Sequence, residues 1–172
     1  MNTGQMMLSM GAMMLLSFLV LRFNSVQLTS AQASYNAKFG IVATSLATSM
    51  LEEAKDKVFD EVVLDTNKVI SSASELSATL GPEGTEVYPN FDDFYDYNNL
   101  IHVDSLSLKN PQTGAPTKFT ITAKVEYVTE TSPDVKSNIP TYHKKMTVTV
   151  TSSAMIDKVE LSTIFSYWHL LN

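Results

Sequence analysis

Histidines, carboxylates and thioethers are the side chains of this 172-residue chain whose types could do chemistry. His102, His143 and His169 could ligate a metal or move protons, but they lie far apart and have no metal-ligand spacing. Surface or strand positions are the better reading for them. Glu52 and Glu53 could share acid–base work only by facing each other across a cleft. Adjacent residues of a helix point about 100° apart, so a solvated face, or pairing with Lys55 and Lys57, is preferred. Asp92, Asp93 and Asp96, with Asn98 and Asn99, offer hard oxygen ligands for Ca2+. They lack the glycine and the closing glutamate of an EF-hand loop, and a solvated or subunit-contact loop is preferred to a calcium site. The interleaved Phe91, Phe94, Tyr95 and Tyr97 are expected to pack on the folded head or on a neighbouring subunit. Met6, Met10, Met13 and Met14 could bind copper through soft sulfur, but adaptable packing in lipid or in a helix bundle suits them better.

Other chemistry is excluded by what is missing. The chain has no cysteine, so thiol nucleophiles, disulfides and cysteine-ligated zinc are ruled out. Neither a G-x-S-x-G elbow nor a phosphate-binding glycine loop occurs. The expectation is a protein that is not an enzyme and has no resident cofactor. Twelve basic against 18 acidic residues give a net charge of −6, which argues against a nucleic-acid partner.

The elements that must position these groups fall into two unlike halves. Residues 2–21 carry no charged side chain, and Arg22 closes the run. Twenty such residues as helix are about 30 Å long, the thickness of a bilayer core. A secretory signal is disfavoured because the start, MNTGQ, has no basic residue. No proline precedes Pro82, and Val42, Leu46, Met50, Ala54 and Val58 recur at helical spacing. The spacing predicts one helix over about residues 2–59, with Asn24, Ser25, Thr29 and Ser30 marking a stretch between 22 and 30 where it could bend or melt.

From residue 62 a β head is expected. Residues 65–90 read as loop with a helical turn near 68–76. Four strands follow, at 101–108, 119–127, 146–150 and 159–167, with apolar and polar residues alternating in the last three. NPQTGAP, TSPDVKSNIPT and TSSAMID read as the connections between them. A sheet with one apolar face needs a cover, and the amphipathic residues 39–59 are the large one on offer. The predicted fold is therefore α+β. It has an N-terminal helix over residues 1–61 with a membrane or core segment at 1–21, and a four-stranded antiparallel head over 62–172.

This layout resembles the type IV pilin and type II secretion pseudopilin superfamily. SLATSMLEEAKDKVFDE (residues 45–61) is similar to the helix end of minor pilins and pseudopilins, with its Leu-Glu-Glu and aromatic-Asp stop. FDDFYDY (residues 91–97) resembles their acidic-aromatic stretch, and KKMTVTVTS with VELSTIFS their last two strands. The family's mature fifth residue is usually glutamate. Taking Met1 as the mature terminus puts Gln5 in that place, and this is adopted over a cut after Gly4, which would put Ser9 there. The family's mid-helix proline is absent. The resemblance implies a homopolymeric extracellular filament whose subunit is stored in the inner membrane and handled by a pilus or secretion assembly machinery. Its assembly residues would be Met1, Gln5, Met6, Met10, Met13, Met14, Leu16 and Val20. A minor pilin or pseudopilin is one alternative, and a single-pass protein with a periplasmic binding head is another.

Overall fold

The computed structural model describes residues 2–66, 70–110 and 113–167, apart from the side chains of 64–66. Helix α1 runs unbroken from Thr3 to Lys55, 53 residues. The expected weak stretch at 22–30 is helical throughout. Within it Thr29 Oγ1 bonds back along the helix instead of competing with it, donating to the Ser25 carbonyl at 3.0 Å. The helix stops short of residue 59 because Val58 is taken up elsewhere. Its N–H donates to the Asp92 carbonyl at 3.3 Å and its own carbonyl accepts from the Phe94 N–H at 2.8 Å. A second short helix, α2, covers Glu61–Thr66, where the sequence had suggested the start of loop. The helical turn expected near 68–76 is a 3-10 turn at Ala73–Glu75, and residues 67–69 lie outside the described ones.

The chain divides into two compact units, Met1–Lys38 and Phe39–Asn172. In the second unit α1 contributes Phe39, Ala43, Ala47, Met50, Leu51 and Ala54 to the buried core. The alanines, fully buried, have no bulk to hold the helix backbone away from what it covers. The Phe39 ring lies 6.3 Å from that of Phe119.

The sheet is antiparallel: β1 (Ile101–Lys109), β2 (Pro116–Thr129), β3 (Ser132–Lys136), β4 (His143–Ser152) and β5 (Val159–Ser166). Its order is β1-β2-β4-β5, with β3 folded back on the end of β2. The sequence had predicted four of these strands. The fifth, β3, lies in TSPDVKSNIPT, where Pro133, Asp134 and Lys136 disguise it and four of its five residues are exposed. On β2 and β4 the alternation is clean: Phe119, Ile121, Ala123 and Val125 face inward beside Met146, Val148 and Val150.

Strands β1 and β3 share one edge of β2, leaving a gap at residues 124–126. Asn98 fills it. Its Oδ1 accepts from the Val125 N–H at 3.0 Å, and its Nδ2 donates to the Leu80 carbonyl at 2.9 Å. Asn99, at a φ of 63°, turns the chain from this contact into β1, a conformation asparagine tolerates better than most residues.

Candidate assembly surface and buried polar centre

Two features of the chain carry functional interest, one in each unit. The first is the N-terminal part of α1. Gln5, Met6, Met10, Met13, Met14, Leu16 and Val20 are all helical and exposed, whereas Met1 lies outside the described residues. Large side chains from Met6 (51%) to Leu8 (77%) and on to Leu28 (64%) stand open. At about 100° per residue, Met6, Met10, Met13 and Val20 fall on one side of the helix. Met7, Leu15 and Phe18, just as exposed, occupy other sides. Two hydroxyls among them bond within the helix, Ser9 Oγ donating to the Met6 carbonyl and Ser17 Oγ to the Met13 carbonyl. This helix is long and apolar enough to cross a membrane.

The second feature is a polar centre inside the head, and sequence reasoning missed it. Lys144 is fully buried and its Nζ donates to Asp60 Oδ2 at 2.8 Å and to the Phe59 carbonyl at 2.6 Å. The ammonium sits over the rings of Tyr95 (4.1 Å), Phe59 (4.4 Å) and Tyr127 (5.4 Å), where ring faces attract a cation. Burial lowers the Lys144 pKa to about 8, against the pull of Asp60. Asp60 also accepts from Ser77 Oγ at 2.8 Å, and Tyr127 donates to the Ser77 carbonyl at 2.8 Å. Burial, with Asp60 alongside, pushes the Tyr127 hydroxyl upward. A signal for Lys144 was present. It falls in register with Met146, Val148 and Val150, on the buried face of its strand.

The acidic-aromatic stretch corrects the solvated-loop expectation. Asp93 and Asp96 are buried, as are Phe91, Phe94, Tyr95 and Tyr97, and only Asp92 of the three aspartates is exposed. The rings do pack on the head, the first of the two places expected for them. Residues 94–97 form a 3-10 helix with a reciprocal capping box: Asp93 accepts from the N–H groups of Tyr95 and Asp96, while Asp96 accepts from that of Asp93. Burial and the neighbouring Asp96 raise the Asp93 pKa to about 8. Burial, with Glu86 and Glu83 nearby, raises that of Asp96 to about 6.

Glu52 pairs with Lys55 at 3.2 Å, as expected of a solvated face. Glu53 does something else. It accepts from the Tyr97 hydroxyl at 2.8 Å and the Tyr88 hydroxyl at 3.3 Å, tying α1 to the segment before β1. His143 Nδ1 meets Ser166 Oγ at 2.7 Å across β4 and β5, His102 lies 4.8 Å from the Tyr88 ring, and His169 is outside the described residues. The grooves of the head are shallow. One of about 530 Å³ lies between Glu52, Lys55 and β5, and one of about 550 Å³ lies on the outer face of the sheet. Neither is lined by Lys144, which is fully buried.

No protein-family model, curated protein or solved structure matches this chain.

Proposed function

We propose that this protein is a structural subunit of a type IV pilus-like extracellular filament, stored in a membrane and polymerising through its N-terminal helix. The observation that carries this reading is the bare apolar run of α1. The unit ending at Lys38 is helical from Thr3. That is about 54 Å of helix at 1.5 Å per residue, against a hydrocarbon core of about 30 Å. Lipid can therefore cover the charge-free residues 2–21, but Phe23, Val26 and Leu28, each about two-thirds exposed, lie beyond Arg22 and still lack a cover. Packing against copies of the same helix covers both stretches. Glycine, alanine and serine along it permit close approach. The α+β head, with one face of the last third of α1 buried in its core, agrees with the pilin-like resemblance of its helix end and last strands. A membrane-anchored head that does not polymerise is the second reading, favoured by the span-length apolar run alone.

Replacing Leu16 or Val20 with Asp tests the proposal. An aspartate at mid-bilayer costs about 2.5–3.5 kcal/mol, and in a helix bundle every subunit would repeat the penalty. Lys124→Asp is the control, since Lys124 is exposed and makes a surface pair with Glu126 at 2.7 Å. The readout is filament yield in negative-stain micrographs of sheared surface material, beside thermal melting of each variant. Loss of filaments in Leu16→Asp and Val20→Asp with unchanged melting of the head supports the reading. Wild-type yield in both, or no filaments from the unmodified chain, turns it toward the anchored head.

A further inference from the structure

An acidic site lies where the loop before β1 folds onto the 3-10 helix at 94–97. Glu83 and Glu86 are the ends of a turn in which the Glu86 N–H donates to the Glu83 carbonyl at 3.0 Å. Gly84, at a φ of 57°, makes that turn and brings the two side chains to one place. One carboxylate oxygen each from Glu83, Glu86 and Asp96 lie within 4.8 Å of one another. Glu83 Oε1 is already used by the Tyr95 hydroxyl, and Glu86 Oε2 by the Glu83 N–H at 3.3 Å. The other oxygen of each glutamate has no donor among the described residues.

Asp96 supplies the second, independent observation. It is 1% exposed. Its Oδ2 accepts from the N–H groups of Asp92 (3.3 Å) and Asp93 (3.2 Å), whereas its buried Oδ1 has no donor among the described residues. A buried carboxylate oxygen without a donor is costly. The charged side chains acting on Asp96, Glu86 and Glu83, carry its own sign. The nearby ammonium of Lys144 is spent on Asp60 and Phe59.

We propose that Glu83, Glu86 and Asp96 form a calcium site, entered from the solvent side past the exposed Glu83. The donor set is all oxygen, which selects a hard cation. Calcium takes ligands at about 2.4 Å in irregular geometry, so opposite ligands stand about 4.8 Å apart, a span that holds all three carboxylates. Magnesium demands a tighter and more regular octahedron. Waters and backbone carbonyls complete the shell. This set differs from the Asp92, Asp93 and Asp96 suggested by sequence spacing, because of those three only Asp96 lies in the cluster; Asp93 Oδ1 caps residues 94–97, and its buried Oδ2, without a donor among the described residues, is not among the clustered oxygens. It is independent of the assembly reading. Calcium there would pin the 83–86 turn to the element that carries Tyr95.

The test uses the full chain in nonionic detergent, stripped with chelator. Terbium serves as the calcium probe, excited through tyrosine, since Tyr95 is bonded to Glu83. Saturable terbium emission, displaced by calcium, and a calcium-dependent rise in melting temperature are expected. Glu83→Gln and Glu86→Gln keep an accepting oxygen and remove a like charge beside Asp96, so neither should lower the melting temperature in chelator. Each should raise the half-saturating calcium concentration about tenfold or more, as befits the loss of one charged ligand. Glu52→Gln, elsewhere on the surface, should change nothing. Absence of saturable binding up to about 10 mM calcium, beyond the weak extracellular range, overturns the proposal. So does binding that both glutamine variants leave unaltered.

Discussion

Replacing Lys144 with Met isolates the charge at the centre of the head. Methionine is similarly long and unbranched, so contacts with Phe59, Tyr95 and Tyr127 are largely kept, while the ammonium 2.8 Å from Asp60 is removed. Asp60, itself fully buried, would retain Ser77 Oγ at 2.8 Å and weaker donors at 3.3–3.4 Å from Val62, the Ser77 N–H and Tyr127. Among the described residues it would have no cation. Breaking a buried pair in this way costs about 3–5 kcal/mol, a large share of the roughly 5–15 kcal/mol that hold a domain together. The complementary change, Asp60→Asn, strands the ammonium, and pH distinguishes the two variants. In the folded protein Lys144 has a pKa lowered to about 8, below its unfolded value of 10.5. The unfolded chain then binds more protons between those values, so this group's contribution to stability rises with pH across that window. Without Asp60 the folded value falls further, so the Asp60→Asn deficit should shrink as pH rises toward 8. The Lys144→Met deficit should not shrink. Urea unfolding in detergent at pH 6, 7 and 8, followed by tyrosine near-ultraviolet dichroism, measures both. A Lys144→Met cost under about 1 kcal/mol, the level of a surface pair, would falsify the claim that the pair is desolvated. A flat pH response of Asp60→Asn would refute the linkage.

Further outcomes are expected from the same structure. Glu53→Ala should destabilise the head by about 2–3 kcal/mol, because it strips a charged acceptor from both the Tyr97 and Tyr88 hydroxyls; a melt indistinguishable from wild type would show those bonds to be idle. Ala47→Leu should cost about 1–3 kcal/mol, since Ala47 is fully buried and added methylenes have no room; thermal melting decides it. A chain of residues 39–172 alone should be soluble and folded, because that unit holds its own core; a disordered circular-dichroism spectrum would assign residues 1–38 to that core.

The parts legible in the sequence are those set by local periodicity. The charge-free run, the helical spacing past residue 39 and the alternation in β2, β4 and β5 each reflect one buried face repeating along its own element. Strand β3 was hidden because an edge strand buries too little to leave a pattern, and its proline and charges mimic a turn. The polar centre was hidden for another reason. Asp60 finds Ser77 17 residues on and Lys144 84 residues on, so nothing near Asp60 signals its partners. Lys144 could have been read from its register, as a cation placed where an apolar residue belongs. Glu83 and Glu86 looked like loop acids, because only the fold brings Asp96 between them.

The 84-residue separation of Asp60 from Lys144 also sets an order of events during synthesis. At about 5–20 residues per second, the chain between them takes about 4–17 s to emerge. Throughout that interval the apolar run is already made, while the inner face of the head is without its last strands. The carboxylate of Asp60 waits in water, and the buried face of α1 waits for a head that is still without β4 and β5. Vectorial growth thus presents the N-terminal segment to its surroundings before the rest of the molecule can close.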